Sequence, residues 1–188
     1  MIRGRVTLLL LLATLAGGCA TPPRYTLIES RPTKVLDALS LQPGIAWTAE
    51  RTGNVERWTV DGVQLESLRF FTGIKDDTPL VASATDDARR PRFHIGMTDP
   101  DLMELVVRSL FPSNAAPAEL SGARLGGMPG FRFEVRYTAG NGMERRALVA
   151  GVVVKERLHV IVYEAAAIHY YARYLPEVER LLGTVRFE

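Results

Sequence analysis

Over residues 131–138 apolar and polar positions alternate, with Phe131, Phe133, Val135 and Tyr137 set against Arg132, Glu134, Arg136 and Thr138. A period of two predicts a strand with one buried face and one wet face. Further on the alternation disappears. Ala147–Val154 is apolar in both phases and Leu158–Tyr163 nearly so. Such runs predict central strands covered on both faces. Gly140-Asn141-Gly142 supplies the turn before them, and Lys155-Glu156-Arg157 links the two. Strand character extends over Leu120–Glu164 as a whole. Upstream, residues 45–74 predict an antiparallel meander. Trp47 lies in a first short run, Val55–Val60 follows the Thr52-Gly53-Asn54 turn, and Gln64–Phe71 follows the turn signal Asp61-Gly62.

Helical periodicity appears at Thr98–Phe111, where Leu102, Leu105, Val106 and Leu110 form one stripe, widened by Met103. Asp99 is placed to cap this helix, Pro100 suits its first turn and Pro112 stops it. Acidic Asp101 and Glu104 lie towards its start and Arg108 towards its end, matching the helix dipole. Ala165–Gly183 predicts a second helix, buried through Val178, Leu181 and Leu182, with Pro176 either kinking it or starting another. Thr184–Phe187 predicts a short edge strand. The polar stretch 75–92 reads as a loop. Strands, helix, strands, helix is the order of an α+β domain, a largely antiparallel sheet flanked by helices.

The N-terminus follows a different pattern. Arg3 and Arg5 precede an apolar run of 11 residues, Val6–Ala16, and then Gly17, Gly18 and Cys19. A spanning helix needs roughly 20 apolar residues, so the run reads as an export signal. The small residues before the single cysteine resemble a bacterial lipobox. That resemblance implies acylation of the Cys19 thiol and cleavage before it. Ala20 in the following place implies sorting to the periplasmic face of the outer membrane. Several acyl chains hold a protein on a membrane without any spanning segment. The expected organisation is a signal peptide at 1–18, a lipidated tether at 19–34 kept extended by Pro22, Pro23 and Pro32, and one domain at 35–188. A short strand is expected at Tyr25–Ile28 within the tether.

Composition is that of a globular chain: 188 residues, 47% hydrophobic and 23% charged. The net charge of +2 depends on the leader. Removing 1–18 takes away Arg3 and Arg5 and no acid, leaving 21 basic against 21 acidic residues. The charge balance therefore offers nothing to a nucleic acid.

Chemistry-bearing motifs are few. One cysteine excludes an intrachain disulfide. His94, His159 and His169 lack the spacing of a zinc motif, and His159 reads as a packed residue of an apolar strand. No nucleophile elbow is present, and Ser113-Asn114 and Ser121-Gly122 read as turns. Gly126-Gly127-Met128-Pro129-Gly130 lacks the lysine of a phosphate loop and precedes a strand, so it reads as a hairpin turn. No cofactor, metal site or catalytic residue is expected. Arg89-Arg90-Pro91-Arg92 reads as a solvated loop or as a contact for anionic headgroups, with Asp86 and Asp87 nearly cancelling its field. Tyr163, Tyr170, Tyr171 and Tyr174 with His169 admit two readings: rings packed on the sheet, or an aromatic cleft for a lipid, glycan or peptide.

Gly130–Phe187 carries a further resemblance. The Gly-Phe-Arg-Phe-Glu-Val strand, the hairpin, the two very apolar strands, Tyr-Glu-Ala-Ala-Ala and a tyrosine-rich helix ending Leu-Leu-Gly-Thr-Val-Arg-Phe are similar to the PsbP-like α/β/α sandwich. DcrB-type bacterial lipoproteins belong to that group. The resemblance implies an accessory or assembly module and not an enzyme. The expected function is a lipid-anchored, non-catalytic binding module of the cell envelope, with the membrane and an envelope protein as partners. The alternatives are a small-ligand carrier for a lipid or glycan, and an unrecognised envelope hydrolase.

Overall fold

The computed structural model describes residues 25–82 and 89–188. Their elements in chain order are β1 (Thr26–Ile28), β2 (Thr33–Val35), β3 (Leu39–Leu41), β4 (Trp47–Thr52), β5 (Val55–Thr59), β6 (Glu66–Ile74), α1 (Asp99–Leu110), β7 (Ala116–Leu125), β8 (Met128–Thr138), β9 (Glu144–Val154), β10 (Arg157–Ala166), α2 (Tyr170–Leu182) and β11 (Arg186–Phe187). Eight strands form one sheet in the order β1-β4-β5-β6-β10-β9-β8-β7, and β11-β3-β2 form a second, smaller one. Every pairing in both sheets is antiparallel. The fold is α+β, mostly antiparallel sheet with two helices.

The loss of alternation in β9 and β10 has a direct cause. Along β10, Leu158, Val160 and Val162 join one buried cluster, whereas Ile161, Tyr163 and Ala165 join another. The first cluster holds Phe131, Phe133 and Val135 of β8 with Leu102, Leu105 and Val106 of α1. The second holds Leu68 and Phe70 of β6 with Tyr171, Tyr174, Val178 and Leu181 of α2. Each fully buried side chain of this size contributes about 1.5–3 kcal/mol, so both phases of the central strands are apolar because both are covered.

Several boundaries differ from the sequence reading. Ala165 and Ala166 belong to β10, and α2 starts at Tyr170. Alanine favours helix, but the ladder to Arg146 and Arg145 on β9 and to Glu66 on β6 outweighs that weak preference. Pro176 lies inside one helix. Thr98, not Asp99, caps α1: its backbone N–H and its hydroxyl both donate to Asp101, at 2.9 and 2.7 Å. The hydroxyl and backbone bonds hold the Asp101 carboxyl below its ordinary value. The strand expected at Tyr25–Ile28 is β1, on the edge of the large sheet, and Thr33 and Lys34 of the expected tether belong to β2 of the small one. β11 pairs with β3 rather than with the large sheet. β7 begins before the expected Leu120 and crosses a bulge where Glu119 has φ of 60°.

Two hairpins show turn chemistry at work. Gly126 and Gly127 join β7 to β8 with φ of 57° and 78°, the geometry that glycine adopts without steric cost. Lys155 and Glu156 join β9 to β10 with φ of 48° and 61°, which is unfavourable for residues with a Cβ. Replacing Glu156 with glycine is expected to raise stability by about 0.5–1 kcal/mol. A urea midpoint at or below that of the parent chain would contradict this.

Candidate functional site

Charged residues on the α1 face of the large sheet meet inside the core. Strand alternation places Arg69 on β6, Glu164 on β10, and Arg145 and Tyr137, which are register partners, on β9 and β8. Arg69 Nη2 donates to Glu164 Oε2 at 2.7 Å. Arg145 Nε and the Tyr137 hydroxyl both donate to Glu164 Oε1, at 2.8 and 2.6 Å. Arg145 also donates to the Gln64 carbonyl at 2.7 Å, which ties the β5–β6 loop to the cluster. Side-chain exposure is only 15% for Arg69, 8% for Arg145 and 14% for Glu164.

The electrostatics follow from this packing. Burial pushes the Glu164 carboxyl up, but Arg69, Tyr137 and Arg145 together outweigh it and hold the group below the usual range. Burial and the bond to Glu164 push Tyr137 up to about 12. Burial lowers Arg69, and Glu164 opposes that. Glu164 is thus ionised, and both its oxygens are engaged by donors. A carboxylate held this way is a structural counter-ion rather than a proton carrier near neutral pH.

Cavities lie at two sides of the cluster. One of about 240 Å³ is lined by Tyr137, Arg145 and Glu164 together with Gln64 and Asn141. Another of about 360 Å³ is lined by Arg57 and Arg69, with Glu50, Val55, Phe71 and Val81 around them. Arg57 and Arg69 are direct register partners on β5 and β6, and Glu50 on β4 is the partner of Arg57.

The aromatic group expected as a possible ligand cleft is packed. Tyr163 and Tyr171 are each 1% exposed, and their rings stack at 5.4 Å. The Tyr163 hydroxyl donates to the Tyr170 and Tyr171 carbonyls at 2.9 and 3.1 Å. The Tyr171 hydroxyl donates to Glu134 at 3.2 Å, with Arg146 over its ring at 4.2 Å. Tyr174 is buried against Trp47 and donates to Asp61 at 2.5 Å. Burial and that bond push Tyr174 up to about 12, and burial also raises Tyr163 and Tyr171. His169 is exposed, and half-buried Tyr170 packs against the edge of this core with its ring edge-on to His169 at 5.2 Å. Each buried tyrosine hydroxyl of this group reaches an acceptor, as a buried polar tip requires.

The histidines are dispersed. His94 is exposed beside Asp76, at 3.6 Å. His159 is buried edge-on against Phe187 at 4.8 Å, its Nδ1 without a partner. Burial, with Arg157 adding, pushes His159 down to about 4. Among the described residues no group of three His, Cys, Asp or Glu side chains is arranged to hold a metal ion. Arg90 donates to the Val81 carbonyl at 3.2 Å and Arg92 to the Asp77 carbonyl at 2.7 Å, so this arginine run is tied to its own loop. Cys19, the leader, Asp86 and Asp87 lie outside the described residues.

No family model matches the chain. No curated protein matches it either. Among solved structures, the chain is similar to the crystal structure of LpqN, involved in cell envelope biogenesis of Mycobacterium tuberculosis. The identity is 14% and the TM-score 0.36, over 90% of this chain and 87% of that one. A likeness at that score carries no argument about fold or role.

The sequence alone does not assemble the Glu164 cluster, but it carries a signal for one. Arg69 interrupts Leu68–Phe71, and Glu164 follows the apolar run 158–163. A charge inside a strand buried on both faces needs a partner of opposite sign. Register, and not sequence distance, decides which residue that is.

Proposed function

We propose that this chain is a lipid-anchored, non-catalytic binding module at the periplasmic face of the outer membrane, built as a PsbP-like sandwich. One observation carries the reading: the apolar run Val6–Ala16 leads through two glycines into the single cysteine of the chain, followed by Ala20. Thr26 already begins β1. At full extension the chain between Cys19 and that strand spans roughly 25 Å, so an acylated Cys19 keeps the body close to the lipid surface. Among the described residues no helix is long and apolar enough to cross a membrane, and a lipid anchor requires none.

Two further observations support the remainder of the reading. The buried clusters on opposite faces of the sheet, one shared with each helix, agree with a helix–sheet–helix arrangement. The acid at the centre of the buried charge cluster has both oxygens occupied, which favours binding over acid–base chemistry.

The test is Cys19→Ser in the full chain, expressed in a bacterium with two membranes. The parent is expected in the outer-membrane fraction, with its N-terminal peptide heavier by the mass of the acyl groups. The variant is expected to leave that fraction and to carry no acyl mass. A parent chain without added acyl mass would remove the anchor from the proposal.

A further inference from the structure

We propose that the cavity bounded by β4, β5 and β6 binds a small phosphate-bearing ligand, its anion held between the Arg57 and Arg69 guanidiniums and its apolar part against Val55, Phe71 and Val81. This inference does not depend on the lipid anchor.

The argument begins with register. Arg57 and Arg69 are direct cross-strand partners, and like charges placed opposite each other on a sheet are destabilising unless something lies between them. Only Arg69 has a counter-ion, and it shares that one with Arg145. Arg57 makes no ion pair and no side-chain hydrogen bond among the described residues. Arg69 gives Nη2 to Glu164, but Glu164 is shared with Arg145. Among the described residues around the cavity and the cluster behind it, three guanidiniums (Arg57, Arg69, Arg145) stand with two carboxylates (Glu50, Glu164), an excess of one positive charge. Glu50 is the register partner of Arg57, yet the two do not form an ion pair.

A second observation is independent of charge. Arg69 Nε is buried and has no hydrogen-bond partner. A buried donor left unmet costs about 1–3 kcal/mol, and more for a charged group. The guanidinium that carries this unmet donor also borders the cavity. Two guanidinium forks present more donors than one carboxylate can accept, whereas a phosphate offers three or four oxygens and as many as two charges. The volume of about 360 Å³ suits a small molecule. The Val55, Phe71 and Val81 side chains give the remainder of the ligand an apolar wall.

The test uses the full chain in detergent and hexyl phosphate as probe, followed by calorimetry. Saturable binding is expected, weakened about tenfold in Arg57→Ala, which removes one charge-assisted contact. Arg57→Lys keeps the charge without the fork and is expected to fall between the two. Arg69 is left intact, since its loss strands Glu164. A measurement without any variant runs beside this one: hexyl phosphate is expected to protect Arg57 of the parent chain from modification by phenylglyoxal, read by peptide mass. Displacement of the probe by short-chain dihexanoyl phosphatidylglycerol but not by dihexanoyl phosphatidylcholine supports the proposal with a lipid headgroup as the source. Displacement by inorganic phosphate without displacement by either lipid supports it with a soluble phosphate. No binding by the parent, equal binding by Arg57→Ala, or unprotected Arg57 overturns it.

Discussion

A chain carrying Glu164→Ala is expected to lose about 3–5 kcal/mol of stability, the range for breaking a buried ion pair on one side. The substitution leaves Arg69 and Arg145 without their shared carboxylate and leaves the Tyr137 hydroxyl without its acceptor. Glu164→Gln keeps the shape and one acceptor oxygen but not the charge, and is expected to fall in between. Urea unfolding followed by circular dichroism measures both. An unchanged midpoint for the alanine variant would mean that water already screens the cluster. The same cluster predicts an acid response. Because Glu164 is held below 4.5 in the folded chain, its contribution is complete above that value and is lost as the pH falls through the folded pKa. His159 acts earlier. The folded chain keeps it neutral down to about 4, against an ordinary value of 6.5. The unfolded chain therefore takes up that proton first, and stability falls with acid between those two values by at most about 1.4 kcal/mol per pH unit. His159→Phe is expected to flatten that upper part of the curve and to leave the part below it.

Glu66→Ala is the second large effect, expected at about 3 kcal/mol. Glu66 is wholly buried, and its Oε1 accepts from the Thr59 hydroxyl at 2.6 Å and from the Val60 and Asp61 backbone N–H groups at 2.5 and 2.9 Å. Removing it leaves the Val60 and Asp61 N–H groups without an acceptor at the β5–β6 loop, while the Thr59 hydroxyl keeps only the Glu66 carbonyl, at 3.0 Å. The loop in turn carries Asp61, which accepts from Tyr174 and Arg173 of α2, at 2.5 and 3.2 Å. Amide hydrogen exchange is therefore expected to rise in residues 60–65 and in the first turns of α2 together. Glu66→Gln retains an acceptor oxygen and is expected to recover much of the loss. If alanine and glutamine behave alike, the donors find water and the clamp is not what orders the loop.

That loop shows how far local patterns reach. Asp61-Gly62 marked a turn correctly, and Gly62 has φ of 108°. The strand after it starts at Glu66 and not at Gln64, because a buried carboxylate two residues later gathers the loop's donors. Nothing in a local window marks Glu66 as buried. The tyrosines make the same point from the opposite side. Their spacing suggested either core or cleft, and the choice went to core because Tyr163 and Tyr171 stack and reach acceptors close in sequence or across the sheet.

What the amino-acid sequence determined by itself is whatever depends on near neighbours. The two-phase apolar runs of β9 and β10, the period-two strand β8, the stripe of α1 and the glycine turns all follow from repeats within a dozen residues, since backbone geometry places side chains at fixed short intervals. Tertiary structure alone decided the pairing of β1 and β2 into two different sheets, the extension of β10 through Ala166, and the meeting of Arg57, Arg69, Tyr137, Arg145 and Glu164 on one face. Those residues come from five adjacent strands spread over more than half the chain. Only the strand order β5-β6-β10-β9-β8 brings their charges within reach of one another, and the energy of a charge is set by its neighbours in space.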